Sequence, residues 1–197
     1  MASINEKSNL VINAKNEQCI DSIQTSLKNE NFKVWLAACV KMYHEKKTSI
    51  LLNNLGIENF LPIQIEHHKW SDRIKKIERL VLPMVIFVKV DKEQRRNVLN
   101  LSTIYKYVSN PCEHAPAIIP DKEMDRFKFM LDYSEHCVEF TQSPIREGVR
   151  IRVIKGPLNG LEGLLINISS KTKVAVKLDI LGYACVDMPI SYVMSLE

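Results

Sequence analysis

KVWLAACVK, residues 33–41, is the stretch on which the rest of the chain is organised. An unbroken apolar run stands between two lysines. It is too short for a free-standing helix and charged at both ends, so it predicts a buried β-strand. Downstream, residues 44–55 place Thr48, Leu51, Leu52 and Leu55 at helical spacing, and Gly56 suits the left-handed position just past a helix end. Residues 59–70 resume as a strand in which Ile63 and Ile65 alternate with Gln64 and Glu66. Ser71, Asp72 and Arg73 are turn chemistry. Residues 74–82 and 84–90 read as two more strands, 91–101 as a helix with Val98 and Leu101 facing inward, and 105–108 as a short strand. Pro120 and Asp121 open a third helix with Met124, Phe127 and Leu131 as its apolar stripe and Asp121 as N-cap. The order β-α-β-β-β-α-β-α predicts an α+β unit, an antiparallel sheet with helices packed on it.

Outward in the other direction, residues 1–31 are rich in Asn, Ser, Lys and Glu and read either as a loosely ordered extension or as one holding a short helix with Ile20, Ile23 and Leu27 on one face. The far end of the chain changes character. In VRIRVIK, residues 149–155, Val149, Ile151 and Val153 alternate with Arg150 and Arg152. The turn Gly156-Pro157-Leu158-Asn159-Gly160 follows, then short strands over 161–168, 173–179, 183–188 and 192–196. Five short strands in so little chain bury a core only by curling into a small all-β barrel. Between the two units, residues 132–145 carry a net charge of −3 and end at Pro144, and predict a linker. The predicted organisation is thus an extension at 1–31, an α+β domain at 32–131, a linker at 132–145 and a barrel at 146–197.

The 197 residues are 46% hydrophobic and 25% charged, a globular composition that excludes a wholly disordered chain. The longest apolar run, residues 80–88, is interrupted by Pro83 and falls well short of the ~20 residues of a membrane span. The N-terminus lacks the pattern of a secretory signal, which leaves the cytoplasm as the expected location. Five cysteines, an odd number with no C-x-x-C, do not predict a disulfide framework. Cys112, His114, His136 and Cys137 are the only grouping with metal-ligand chemistry, and their spacing matches no zinc pattern, so no metal is expected. There is no P-loop, no G-x-G-x-x-G, no H-E-x-x-H and no nucleophile elbow, so neither enzyme activity nor a cofactor is expected.

Charge is concentrated in the middle of the chain. Residues 32–131 carry a net +6, which makes this block the candidate polyanion-facing surface. Its basic residues include Lys41, Lys46 and Lys47 around the first helix, Arg73, Lys75, Lys76 and Arg79 on the hairpin, and Arg95 and Arg96 on the second helix.

KVWLAACVKMYHEKK, LGIENFLPIQIEHHKWSDRIKK, LVLPMVIFVKV and PAIIPDKEMDRF together resemble the N-terminal domain of the NusG family of transcription elongation factors. GVRIRVIKGPLNGLEG, with Gly156, Gly160 and Gly163 at its turn positions, and KTKVAVKLDILGYACVDMP resemble that family's SH3-like KOW barrel. The string HEKK…LGIENFLP…WSDR…KI is most similar to the UpxY-type branch, bacterial paralogues that act on surface-polysaccharide operons. Where the family has F-P-G-Y-V-F-V, this chain reads Leu82-Pro83-Met84-Val85-Ile86-Phe87-Val88. The resemblance implies a monomeric antitermination factor that docks on the clamp helices of RNA polymerase through an apolar concavity made by Cys39, Val85, Phe87 and Met124. It implies that Lys41, Arg73, Lys75, Lys76, Arg95 and Arg96 approach non-template or upstream DNA. It implies that the KOW loops recruit a ribosomal protein, a termination factor or RNA, with no membrane involved. The alternative expectation is a ribosome- or RNA-binding KOW protein without polymerase-specific action.

Overall fold

The computed structural model describes residues 32–69, 74–110, 115–143, 145, 148–168, 171–178 and 181–196. The extension at 1–31, the Ser71-Asp72-Arg73 turn with Trp70, Cys112, His114 and Pro144 lie outside the described residues.

The predicted buried strand is β1 (Val34–Val40), and it is central. The α+β order around it is α1 (Glu45–Asn54), β2 (Glu58–Phe60), β3 (Ile63–Lys69), β4 (Ile74–Leu80), β5 (Val85–Val90), α2 (Lys92–Leu99), β6 (Ile104–Tyr107), β7 (Ile118–Ile119) and α3 (Asp121–Tyr133). Antiparallel pairing joins β2 to β5, β5 to β1, and β1 to both β6 and β7. Successive side chains of a strand point to opposite faces. Val34, Leu36, Ala38 and Val40 therefore enter one cluster with Leu52 of α1 and Val98 of α2. Trp35 and Ala37 enter another, with Phe87 and with Met124 and Phe127 of α3. An apolar run without alternation is what burial on both faces demands. The ammonium of Lys128 on α3 sits 4.1 Å from the Trp35 ring centroid and adds a cation–π contact to that face.

Local expectations are corrected here. The strand expected over 59–70 breaks at Leu61 and Pro62, because proline has no N–H for the ladder; its carbonyl instead accepts from Val81 N–H at 2.9 Å. β3 and β4 then form a two-stranded ribbon of their own. Asp121 is the first helical residue of α3 and not its N-cap; Pro120 holds that position, and the Asp121 carboxylate lies 3.4 Å from Lys89 Nζ. A true cap occurs at α2, where Asp91 Oδ1 accepts from Gln94 N–H at 2.8 Å and Gln94 Oε1 accepts from Asp91 N–H at 3.4 Å.

The C-terminal unit contains β8 (Glu139–Thr141), β9 (Val149–Val153), β10 (Glu162–Ile168), β11 (Lys171–Leu178), β12 (Gly182–Asp187) and β13 (Val193–Ser195). They form one antiparallel sheet in the order β13-β9-β10-β11-β12-β8. The residues expected to be linker are therefore partly structural. α3 runs through Tyr133, and Glu139–Thr141 adds a sixth strand against β12. Gly156 and Gly160 have φ of 82° and 91° and do serve the turn. Gly163 does not: it lies within β10, where a Cβ would come within 2.7 Å of the Ala175 carbonyl oxygen, so close approach of β11 requires the glycine.

The two units share one core. Met124, Phe127 and Met130 of α3 belong to the same buried cluster as Ile151, Val153, Val174 and Val176 of the C-terminal sheet. At the rim of this contact, Arg126 reaches Glu162 of β10 at 2.5 Å, and Arg152 reaches the other carboxylate oxygen at the same distance.

Candidate functional site

Cys39, Val85 and Phe87 lie on one face of the first sheet. Cys39 and Val85 are direct cross-strand partners, as are Ala37 and Phe87, and all project toward α3. Met124 approaches the same face from above. The structure thus brings the four expected polymerase-facing residues together, but not as an open concavity. Phe87 and Met124 have no exposed surface, and the Phe87 ring contacts those of Phe60 and Phe127 with centroids 6.2 and 5.8 Å apart. They are core residues, covered by α3 and by the C-terminal sheet behind it. Cys39 and Val85 are half-buried at the edge of the same face. Burial pushes the Cys39 thiol up, and nearby Lys106 opposes that only in part.

The basic residues divide into separate groups. Lys75 and Lys76 are exposed on β4, and being adjacent they point to opposite faces of the ribbon. Lys46 of α1 joins them by pairing with Glu78. Lys41 follows β1, with its ammonium 5.8 Å from the Tyr105 ring centroid. Arg95 and Arg96 are on α2, the helix that follows β5. Arg96 is exposed, whereas Arg95 is half-buried and its carbonyl accepts the Tyr107 hydroxyl at 3.0 Å. Burial raises that phenol to about 12, so it is a donor at any physiological pH. Arg73 lies outside the described residues.

Two further features lie outside the expected site residues. The first is a grip between the ribbon and the segment after α3. Gln64 is buried; its amide donates to the His136 carbonyl at 2.8 Å and accepts from the Val138 N–H at 2.8 Å, as a strand backbone would. Arg79 donates to the Val138 carbonyl at 2.7 Å and sits 2.6 Å from Glu66, whose carboxylate also receives the Cys137 thiol at 3.1 Å. A lone Gln in an alternating strand gives no hint of a partner more than 70 residues away.

The second feature is a pair of strained turns. Tyr43 has φ of 63° and Met84 φ of 61°, the only non-glycine residues at positive φ among those described. The Met84 carbonyl accepts from Val40 N–H at 2.8 Å, and Met84 N–H donates to Glu45 Oε1 at 3.1 Å, which fastens the two turns together. Met84 stands where the resembling family has glycine, so its left-handed backbone keeps a glycine geometry without the glycine.

Residues 33–128 match the family model described as NusG, transcription termination factor nusG. No curated protein matches. Among solved structures, the chain is similar to the NusG of "Domain interaction in Thermotoga maritima NusG", at 19% identity over 84% of this chain and 98% of that one, with a TM-score of 0.45. It is also similar to a chain of the MjSpt4:Spt5 complex, at 12% identity over 82% of this chain and 97% of that one, with a TM-score of 0.28. No helix among the described residues is long and apolar enough to cross a membrane.

Proposed function

We propose, on the premise that residues 33–128 belong to the NusG family, that this chain is a non-enzymatic transcription factor that binds RNA polymerase through the α3-side face of its first sheet. The family match over that unit is the observation that carries the proposal. The half-buried edge at Cys39 and Val85 is where the clamp helices first reach that face. An apolar anchor from the polymerase fills the deeper part, next to Phe87 and Met124, once the C-terminal sheet has moved away from α3. The α+β unit and the C-terminal sheet then act as two modules joined through residues 134–138, with 1–31 as an extension. Docked in this way, the cationic ribbon and Lys41 approach the non-template or upstream DNA, and Arg95 and Arg96 add charge on the α2 side. The exposed KOW turn around residues 155–160 recruits a further partner, a ribosomal protein, a termination factor or RNA. The factor works in the cytoplasm of a bacterium as a monomer, on surface-polysaccharide operons, as an antiterminator of the UpxY type.

Capture of the full chain by purified core polymerase, followed by transcription through a terminator, tests this function. Polymerase should retain the wild-type chain and lose Val85→Asp, because a carboxylate in the desolvated edge costs several kcal/mol. Read-through of the terminator should rise with the wild-type chain only. A wild-type chain that polymerase does not retain would overturn the assignment.

A further inference from the structure

We propose that the turn after β1 is a stacking platform for the bases of single-stranded nucleic acid, with the Tyr43 ring as its surface. His44 N–H donates to the Lys41 carbonyl at 3.0 Å and closes the turn, and the His44 ring is hydrogen-bonded to the Met42 carbonyl at 2.9 Å. With positive φ at Tyr43 and not at Met42, this is a type II turn, whose third position calls for glycine or asparagine. A tyrosine there sacrifices folding stability, and strain of this kind persists where it presents a group for use. The ring gains nothing from packing in return, since Tyr43 is 89% exposed.

The surroundings select the ligand. Lys41 precedes the turn and reaches over a second exposed ring, Tyr105. Lys47 follows the turn on α1 and is exposed. The acid within this stretch, Glu45, is buried and turned inward onto the Met84 N–H, while Glu78 is engaged by Lys46. An open aromatic ring beside lysines is what an unstacked base and its phosphate require. An apolar partner helix would instead need a depression, and the Tyr43 ring stands out from the surface. Duplex bases have no free faces to offer it. This inference rests on the proposed transcriptional role only for its biological setting; the binding itself is a property of the chain.

The test is fluorescence anisotropy of the full-length protein with a labelled oligo(dT) of about 12 nucleotides, with polymerase capture measured on the same preparations. Tyr43→Gly removes the ring and supplies the residue that the backbone prefers. It should weaken oligo(dT) binding by about 5- to 100-fold while its melting temperature stays level or rises. Tyr43→Phe should retain binding, and an unlabelled duplex should compete poorly. Equal affinity of Tyr43→Gly and wild type, or equal competition by single strand and duplex, would overturn the platform. A wild type captured by polymerase but indifferent to oligo(dT) would sink this inference alone. Tyr43-dependent oligo(dT) binding without polymerase capture would sustain it and sink the transcriptional assignment.

Discussion

The two faces of the first sheet are built from alternate residues of one strand, yet they close in different ways. The face formed by Val34, Leu36, Ala38 and Val40 is sealed by α1 and α2, and every buried residue of its cluster lies between positions 34 and 107. The face formed by Trp35 and Ala37 is sealed by α3 and then by a sheet more than 100 residues further along the chain. The first face is local and self-sufficient, a scaffold. The second draws part of its cover from a unit with its own hydrogen-bonded ladder, and under the proposed function that cover leaves without dismantling the first face. The candidate polymerase-contact residues Cys39, Val85, Phe87 and Met124 all belong to the second face, so under the proposed function binding and domain packing compete for the same apolar surface.

The largest effect should come from the residue at the middle of the shared core. Phe127 is fully buried, with its ring 6.0 Å from Phe60 and 5.8 Å from Phe87. Phe127→Ala should cost about 3–5 kcal/mol in urea unfolding. It should also lower hydrogen-exchange protection in β11 of the other unit. Leu52→Ala in the scaffold face should cost about 2–5 kcal/mol and leave β11 protection in place. Equal responses of β11 to both substitutions would mean that the two faces are not separable.

Gln64→Ala probes the grip next to that core. It leaves the His136 carbonyl and the buried Val138 N–H without their amide partner, a cost of about 1–3 kcal/mol. Protease cleavage within residues 134–143 should accelerate while the scaffold face resists. Unchanged cleavage would show that the remaining contacts, Arg79 to Val138 and β8 to β12 among them, hold the segment without Gln64.

How much of this is legible in the sequence depends on whether the relevant signal is local. β1, α1, α2 and the glycine turn at 156–160 follow from apolar spacing, a cap and backbone chemistry written in neighbouring residues. The grip of Gln64 on Val138 does not, because a side chain imitating a strand leaves no periodicity. β8 is hidden in an acidic stretch whose composition reads as linker, although Glu139 at its start pairs with the buried Lys173 at 2.5 Å. Family resemblance groups Cys39, Val85, Phe87 and Met124, which do share one face, but sequence cannot show that Phe87 and Met124 are covered. Tyr43 escapes notice because a type II turn without glycine carries no signature.

The C-terminal sheet has a pH window of its own. The hydrogen bond to Glu139 holds Lys173 above its ordinary value, with Asp187 assisting. Burial alone would raise Asp187, but Lys171 and Lys173 hold it low instead. At the contact with α3, Glu162 is likewise held low by the hydrogen bond from Arg152 and by the charge of Arg126. A depressed carboxylate stabilises above its unfolded value of about 4, and that stabilisation is lost as pH falls through the folded value. A raised lysine stabilises below its unfolded value of about 10.4, and that is lost as pH rises through the folded value. Stability should therefore be level between about pH 4 and 10 as far as these groups decide it, and fall on both sides. In Lys173→Met the alkaline fall should be blunted. An unaltered alkaline limb in thermal melts would remove Lys173 from the account.

The smallest effect on folding should come from the ribbon, where the comparison turns from packing to charge. Lys75 and Lys76 are exposed and on opposite faces of β4, so neither contributes to either core. Changing both to Ala should leave unfolding free energy within about 0.5 kcal/mol of wild type. If they meet phosphates of a displaced strand, each lost contact should reduce the slope of log affinity against log salt by about 0.7. The double variant should therefore bind a nucleic-acid scaffold with a slope shallower by about 1.4, measured on the polymerase-bound complex. Because the two lysines point apart, a single strand following one face would touch only one of them, and the slope would change by about half that amount. The single variants distinguish the cases. If Lys75→Ala and Lys76→Ala each account for half of the change, the strand wraps the ribbon edge. If one accounts for all of it, the strand runs along that residue's face. No change in slope from the double variant would leave both lysines as solvated surface and confine nucleic-acid contact to the region around Lys41.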